Sequence, residues 1–141
     1  MNVINEYSIP STSDQTWKVL SSRSFIADLV DKLSPVAIKL PDSFYEGKMY
    51  NDVLQTKGKE YDYSAKMRID KFNNEILIDI FTDSVDGRIK LKIQNTYSDN
   101  CVVTSEIDVD ASGPLSLFVE SERRNIEVKS NEAIDLLRSK L

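Results

Sequence analysis

Residues 101–141 read CVVTSEIDVDASGPLSLFVESERRNIEVKSNEAIDLLRSKL. The first ten alternate: Val103, Ile107 and Val109 oppose Thr104, Glu106, Asp108 and Asp110, the period of a strand with one dry and one wet face. After Gly113-Pro114 the period changes. Leu115, Phe118, Val119, Ile126, Ala133, Ile134, Leu137 and Leu141 recur every three or four residues. This spacing predicts one helix of about seven turns running to the C-terminus, with Pro114 suited to its first turn. A one-sided strand followed by a one-sided helix places two apolar surfaces in the chain that each need covering.

Reading backwards, strand-like runs occupy 60–71, 75–83, 88–97 and 101–110. Asn73-Asn74, Asp86-Gly87 and Asp99-Asn100 separate them, which predicts an antiparallel meander. Tyr61, Tyr63, Ala65, Met67 and Ile69 share one face of the first run, opposite Asp62, Ser64, Lys66, Arg68 and Asp70. Ile89, Leu91, Ile93 and Tyr97 share the dry face of the third, opposite Arg88, Lys90, Lys92 and Gln94. Lysines on that wet face and acids on the next favour the pairing of these strands. Residues 36–59 carry a strand signal around 48–56 and little else that can be read.

At the other end, Val3, Tyr7 and Ile9 mark one face of a first strand that Pro10 stops. Thr12-Ser13-Asp14-Gln15 matches a capping box, in which the Thr hydroxyl and the Gln side chain satisfy free amides at a helix start. A short helix carrying Trp17 and Leu20 inward follows. A second, from Ser24 to Leu33, ends before Pro35.

The chain has 141 residues, 40% of them hydrophobic, with 18 basic and 23 acidic side chains. That length suits one domain with one core. The negative balance, with no basic cluster beyond Arg123-Arg124, argues against a nucleic-acid partner. No apolar run is long enough to span a bilayer, and residues 1–6 show neither the basic start nor the apolar stretch of a secretion signal, so no export is expected. Cys101 is the single cysteine, so no internal disulfide forms, and a cytoplasmic location is expected. With no histidine, the Ser/His/Asp triad and imidazole zinc sites are excluded. Neither a Walker-type loop nor a GxGxxG motif occurs, and no cofactor or metal is expected. The outward carboxylates Glu106, Asp108 and Asp110 do not converge as a cation site would require.

The order of strand, two short helices, antiparallel strands and terminal helix resembles the helix-grip, or START-like, superfamily. The match is carried by Ile9-Pro10 with Asp14-Gln15-Thr16-Trp17-Lys18-Val19-Leu20-Ser21, and by the stretch from Ser116 to Leu141. Within that superfamily the chain is similar to small bacterial polyketide-cyclase-like and Hsp90-ATPase-activator-like members. The glycine-rich loop of the plant pollen-allergen branch is absent, and residues 36–59 lack the usual tryptophan- and glycine-containing stretch. The resemblance implies an α+β domain spanning the whole chain. A curved antiparallel sheet of about six strands would wrap the C-terminal helix, enclosing space for a small hydrophobic or amphipathic ligand.

Residues expected to line that space are Tyr61, Tyr63, Met67, Phe81, Tyr97, Ser105, Phe118, Glu122 and Ile126. The tyrosines offer an apolar body with a polar tip, although each also suits plain core packing. Glu122 lies between Phe118 and Ile126 on the helical stripe. Buried there it would be tuned as an acid or base, the arrangement of a cyclase or dehydratase; paired with Arg123 or Arg124 it would be structural. The resemblance to co-chaperones leaves a protein partner as a third reading.

Overall fold

The first strand ends at Ile9, before Pro10, and Thr12 caps the start of the first helix. Its Oγ1 accepts a hydrogen bond from the Gln15 amide at 3.2 Å, as the capping box requires. The Gln15 side chain is used differently from that expectation, accepting from Ser11 Oγ at 2.8 Å. The computed structural model describes residues 1–33, 50–56, 59–94, 97–113 and 115–141. Its elements are β1 (Asn2–Ile9), α1 (Ser13–Leu20), α2 (Arg23–Leu33), β2 (Tyr50–Thr56), β3 (Lys59–Asp70), β4 (Glu75–Thr82), β5 (Val85–Gln94), β6 (Cys101–Ala111), α3 (Leu115–Ser121) and α4 (Arg123–Ser139). The rest of the poorly readable 36–59 segment lies outside the described residues.

The six strands form one antiparallel sheet in the order β1-β6-β5-β4-β3-β2. Consecutive strands from β2 to β6 pair antiparallel. The N-terminal strand returns to pair with the last, Val3 opposite Ile107 and Ile9 opposite Cys101. The α-ammonium of Met1 donates to the Val109 carbonyl at 2.7 Å, which ties down the start of the chain.

Two turns form for distinct reasons. At 71–74, Asn74 takes the left-handed φ of 52°, and the Asp70 carboxylate accepts from both the amide and the side chain of Asn73. Between β4 and β5 the reversal falls at Asp83-Ser84 and not at Asp86-Gly87. Thr82 Oγ1 accepts from the amides of Ser84 and Val85 and donates to the Val85 carbonyl, so a threonine closes the turn. Gly87 sits inside β5 opposite Ile80 and Val109.

Register decides which side of β4 is dry. The opposed sets Met67, Ile78, Ile89 and Ile107, and Ile69, Ile76, Leu91 and Ser105, lie on one face, and nearly all are buried. Phe81 pairs with Ser64 and Asp86 on the opposite face, so its expected place in the dry layer is corrected. Tyr97 is corrected too. β5 ends at Gln94, and Tyr97 stands 66% exposed in the β5–β6 connection, its amide bound to the Asn100 carbonyl.

Helices α1, α2 and α4 contact one another, and Leu20, Phe25, Ile26, Leu29, Ile134 and Leu137 join the sheet in a single core. Each such side chain contributes about 1.5–3 kcal/mol on burial. The expected single C-terminal helix is two helices, with Glu122 as the residue between them. Between Val119 and Ile126 every residue is polar, so the apolar stripe is interrupted where the two helices meet. The break lets α3 pack on β6 and α4 on β1.

Candidate functional site

α4 lies along the edge strand. Arg123 Nη1 donates to the Asn2 carbonyl at 3.1 Å, and Arg138 Nη2 donates to the Ser8 carbonyl at 2.9 Å. Fifteen helical residues advance about 22 Å and six strand residues about 20 Å, so the two contacts hold helix and strand parallel along nearly their whole lengths. Lys140 adds an ion pair to Asp28 of α2 at 3.4 Å.

The buried stripe of α4 is Ile126, Ser130, Ala133, Ile134 and Leu137. Small residues in its middle permit close approach to the sheet, and a polar chain crosses there. Ser105 Oγ lies 3.2 Å from Ser130 Oγ, which lies 3.0 Å from the Tyr7 hydroxyl. Tyr7 in turn donates to Asn131 Oδ1 at 2.7 Å. A hydroxyl carries one proton, and that of Tyr7 is spent on Asn131. Ser130 must therefore donate to Tyr7, and Ser105 to Ser130. The chain thus has a fixed direction, from the core to the exposed Asn131. At its inner end, the lone pairs of Ser105 Oγ meet no donor among the described residues. A second buried pair joins Cys101 Sγ to Thr16 Oγ1 at 3.4 Å, which gives the lone thiol a structural contact between β6 and α1.

Among the residues expected to line a ligand space, Tyr63, Met67, Ser105 and Ile126 are buried in or beside the dry layer. Tyr61 and Phe118 sit on β3 and α3, at positions whose side chains fall outside the description. Glu122 is half-buried at the α3–α4 junction, where Oε2 accepts from Asn125 Nδ2 at 2.9 Å. Tyr7 and Ser130 are not among the residues the sequence points to as lining that space. Both carried a signal in the sequence: Tyr7 shares a face with Val3 and Ile9, and Ser130 stands four residues after Ile126 on the apolar stripe.

A recess of about 460 Å³ opens on the outer face of the sheet, lined by charged residues of β3 to β6 around Leu77. No group of side chains suited to holding a metal ion occurs among the described residues. Likewise, none of their helices is long and apolar enough to cross a membrane.

No protein-family model matches the sequence, and no curated protein is similar to it at a significant level. Solved structures do share its fold. A START superfamily protein from Mycobacterium smegmatis aligns with a TM-score of 0.61 at 11% identity, over 94% of this chain and 93% of that one. The Zhui aromatase/cyclase from a Streptomyces species gives 0.58 at 12% identity, over 99% and 93%. Norcoclaurine synthase from Thalictrum flavum gives 0.57 at 16% identity, over 97% and 85%. At such identities the likeness speaks for architecture alone, and the architecture is START-like: an antiparallel sheet gripping a C-terminal helix.

Proposed function

We propose that the protein binds a small hydrophobic or amphipathic molecule between the inner face of its sheet and its C-terminal helices. The ligand's apolar body lies against Tyr63, Met67 and Ile126, and one hydrogen-bond donor on it meets Ser105 Oγ. The observation that carries this reading is the directed chain of hydroxyls set into an otherwise apolar layer, with acceptor capacity left at its inner end. Sites for such ligands combine an apolar lining with a few placed polar groups. The structural neighbours named as a cyclase and a synthase are consistent with a fold that encloses small molecules.

Native mass spectrometry of the purified protein, joined to displacement of a fluorescent lipid, tests it. Binding should be seen in the unmodified protein, be lost in Met67→Trp, and weaken about tenfold in Ser105→Val, where the donor finds no acceptor. A protein that carries no bound mass and displaces no probe refutes the reading.

A further inference from the structure

The outer face of the sheet carries an ordered charge pattern. Across β3, β4, β5 and β6, one row in register reads Lys66, Asp79, Arg88, Asp108, and the next reads Arg68, Leu77, Lys90, Glu106. Both rows begin cationic on β3 and end anionic on β6. Asp79 and Arg88 close on each other at 2.7 Å, and Lys90 is shared between Glu75 and Glu106. Lys66, Arg68 and Asp108 are exposed and form no ion pair among the described residues. The recess around Leu77 lies in the middle of this face, lined by these same charged residues.

We propose that this face pairs with the same face of a second copy of the chain, about a two-fold axis parallel to the strands and lying between β4 and β5. That axis lays β3 over the partner's β6 and β4 over the partner's β5. Lys66 then meets Asp108 of the partner subunit, Arg68 meets Glu106 of the partner subunit, and Asp79 meets Arg88 of the partner subunit. Leu77 faces Lys90 of the partner subunit, whose alkyl stem covers it. Each contact occurs twice, as a two-fold interface demands. The placement is selective. Moving the axis onto β4 sets Lys66 on Arg88 and Arg68 on Lys90, and moving it onto β5 sets Asp79 on Asp108, so like charges oppose both neighbouring registers. Four strands about 4.8 Å apart form a small interface, so the dimer is concentration-dependent, and its exposed ion pairs make it weaken with salt.

Sedimentation velocity over a concentration series at low and high ionic strength tests the pairing. The unmodified chain should shift from monomer to dimer as concentration rises, and high salt should reverse the shift. Lys66→Glu and Asp108→Lys each invert two symmetry-related contacts and should raise the dissociation constant roughly tenfold or more. Both positions are exposed, and circular dichroism confirms that the variants fold. Mixed together, the two variants restore opposite charge at both contacts and should form a one-to-one heterodimer that neither forms alone. A chain that stays monomeric at every concentration overturns the proposal, as do variants that dimerise like the unmodified chain or a mixture that fails to recover.

Discussion

Ser130→Ala tests the direction of the buried hydroxyl chain, because direction fixes which atom is stranded. Ser130 is the one member that both accepts and donates within the dry layer. Its loss leaves the Ser105 proton, 2% exposed on a central strand, without its acceptor. A buried donor left unpaired costs about 1–3 kcal/mol. Alanine returns about 0.5 kcal/mol through its better helix propensity. Tyr7 keeps its proton on Asn131 and loses little. The net destabilisation is about 1.5 kcal/mol. Ser105→Ala strands no proton, since Ser130 still donates to Tyr7, and should cost less than about 1 kcal/mol. The double variant removes donor and acceptor together and should be more stable than Ser130→Ala alone by about 1 kcal/mol. Urea unfolding followed by the fluorescence of Trp17, the single tryptophan, measures all three against the unmodified chain. Additive losses would refute the chain as drawn. A larger loss in Ser105→Ala than in Ser130→Ala would show that the protons run the other way.

Three further outcomes are expected. Thr104 Oγ1 is the buried side-chain polar atom left without a hydrogen-bond partner among the described residues, so Thr104→Val should raise stability by about 0.5–1 kcal/mol in the same unfolding assay. The Asn73 side chain, then its amide, hold the Asp70 carboxyl below its ordinary value of 3.8. A depressed folded value means the contribution is complete above pH 3.8 and is lost as pH falls through the folded value. The Asp70 carboxyl carbon and Asn73 amide signals should therefore titrate together below 3.8, and Asp70→Asn should abolish the Asn73 step. Replacing both Arg123 and Arg138 by methionine keeps the stems but frees the two β1 carbonyls. It should cost about 1 kcal/mol in total, since both contacts are solvent-exposed, and should speed amide exchange in the last turns of α4.

The fold was legible where burial is one-sided. β3 alternates without exception from Asp62 to Arg68, and β6 from Cys101 to Asp108, so parity alone named the dry face. β4 was not legible in this way: Ile76, Leu77, Ile78, Ile80 and Phe81 are apolar at both parities, and only the register with Met67 and Ile89 turns Phe81 outward. The β4–β5 turn was misplaced because Asp-Gly is the stronger turn signal in isolation, whereas Thr82 supplies three hydrogen bonds one step earlier. The helix break at Glu122 carries neither proline nor glycine. No turn residue in the sequence marks it. At the candidate site, aromatic residues drew the reading towards Tyr97, while the polar groups that meet inside the core are Ser105, Ser130 and Tyr7. Serine on an apolar stripe looks like an interruption in the sequence, and only the tertiary contact reveals what it pairs with.

The same contacts bear on how the sheet avoids adding strands at its β1 edge. An edge strand presents a row of free carbonyls and amides that invite another chain. Along β1, the outward carbonyls of Asn2 and Ser8 are taken by Arg123 and Arg138 of the helix that lies beside it. The arginines therefore serve two ends at once, tethering α4 beside β1 and occupying two of the strand's outward carbonyls. Association through the β1 edge is costly for this chain, because it would first have to release the helix. The outer face bears no such cover. Its charges are mixed in sign but ordered by strand, which is the pattern the proposed pairing with a second copy uses. Freeing the edge by the double methionine substitution and inverting the face by Lys66→Glu should therefore act in opposite senses on self-association, the first opening a strand-pairing route and the second removing the face-to-face one.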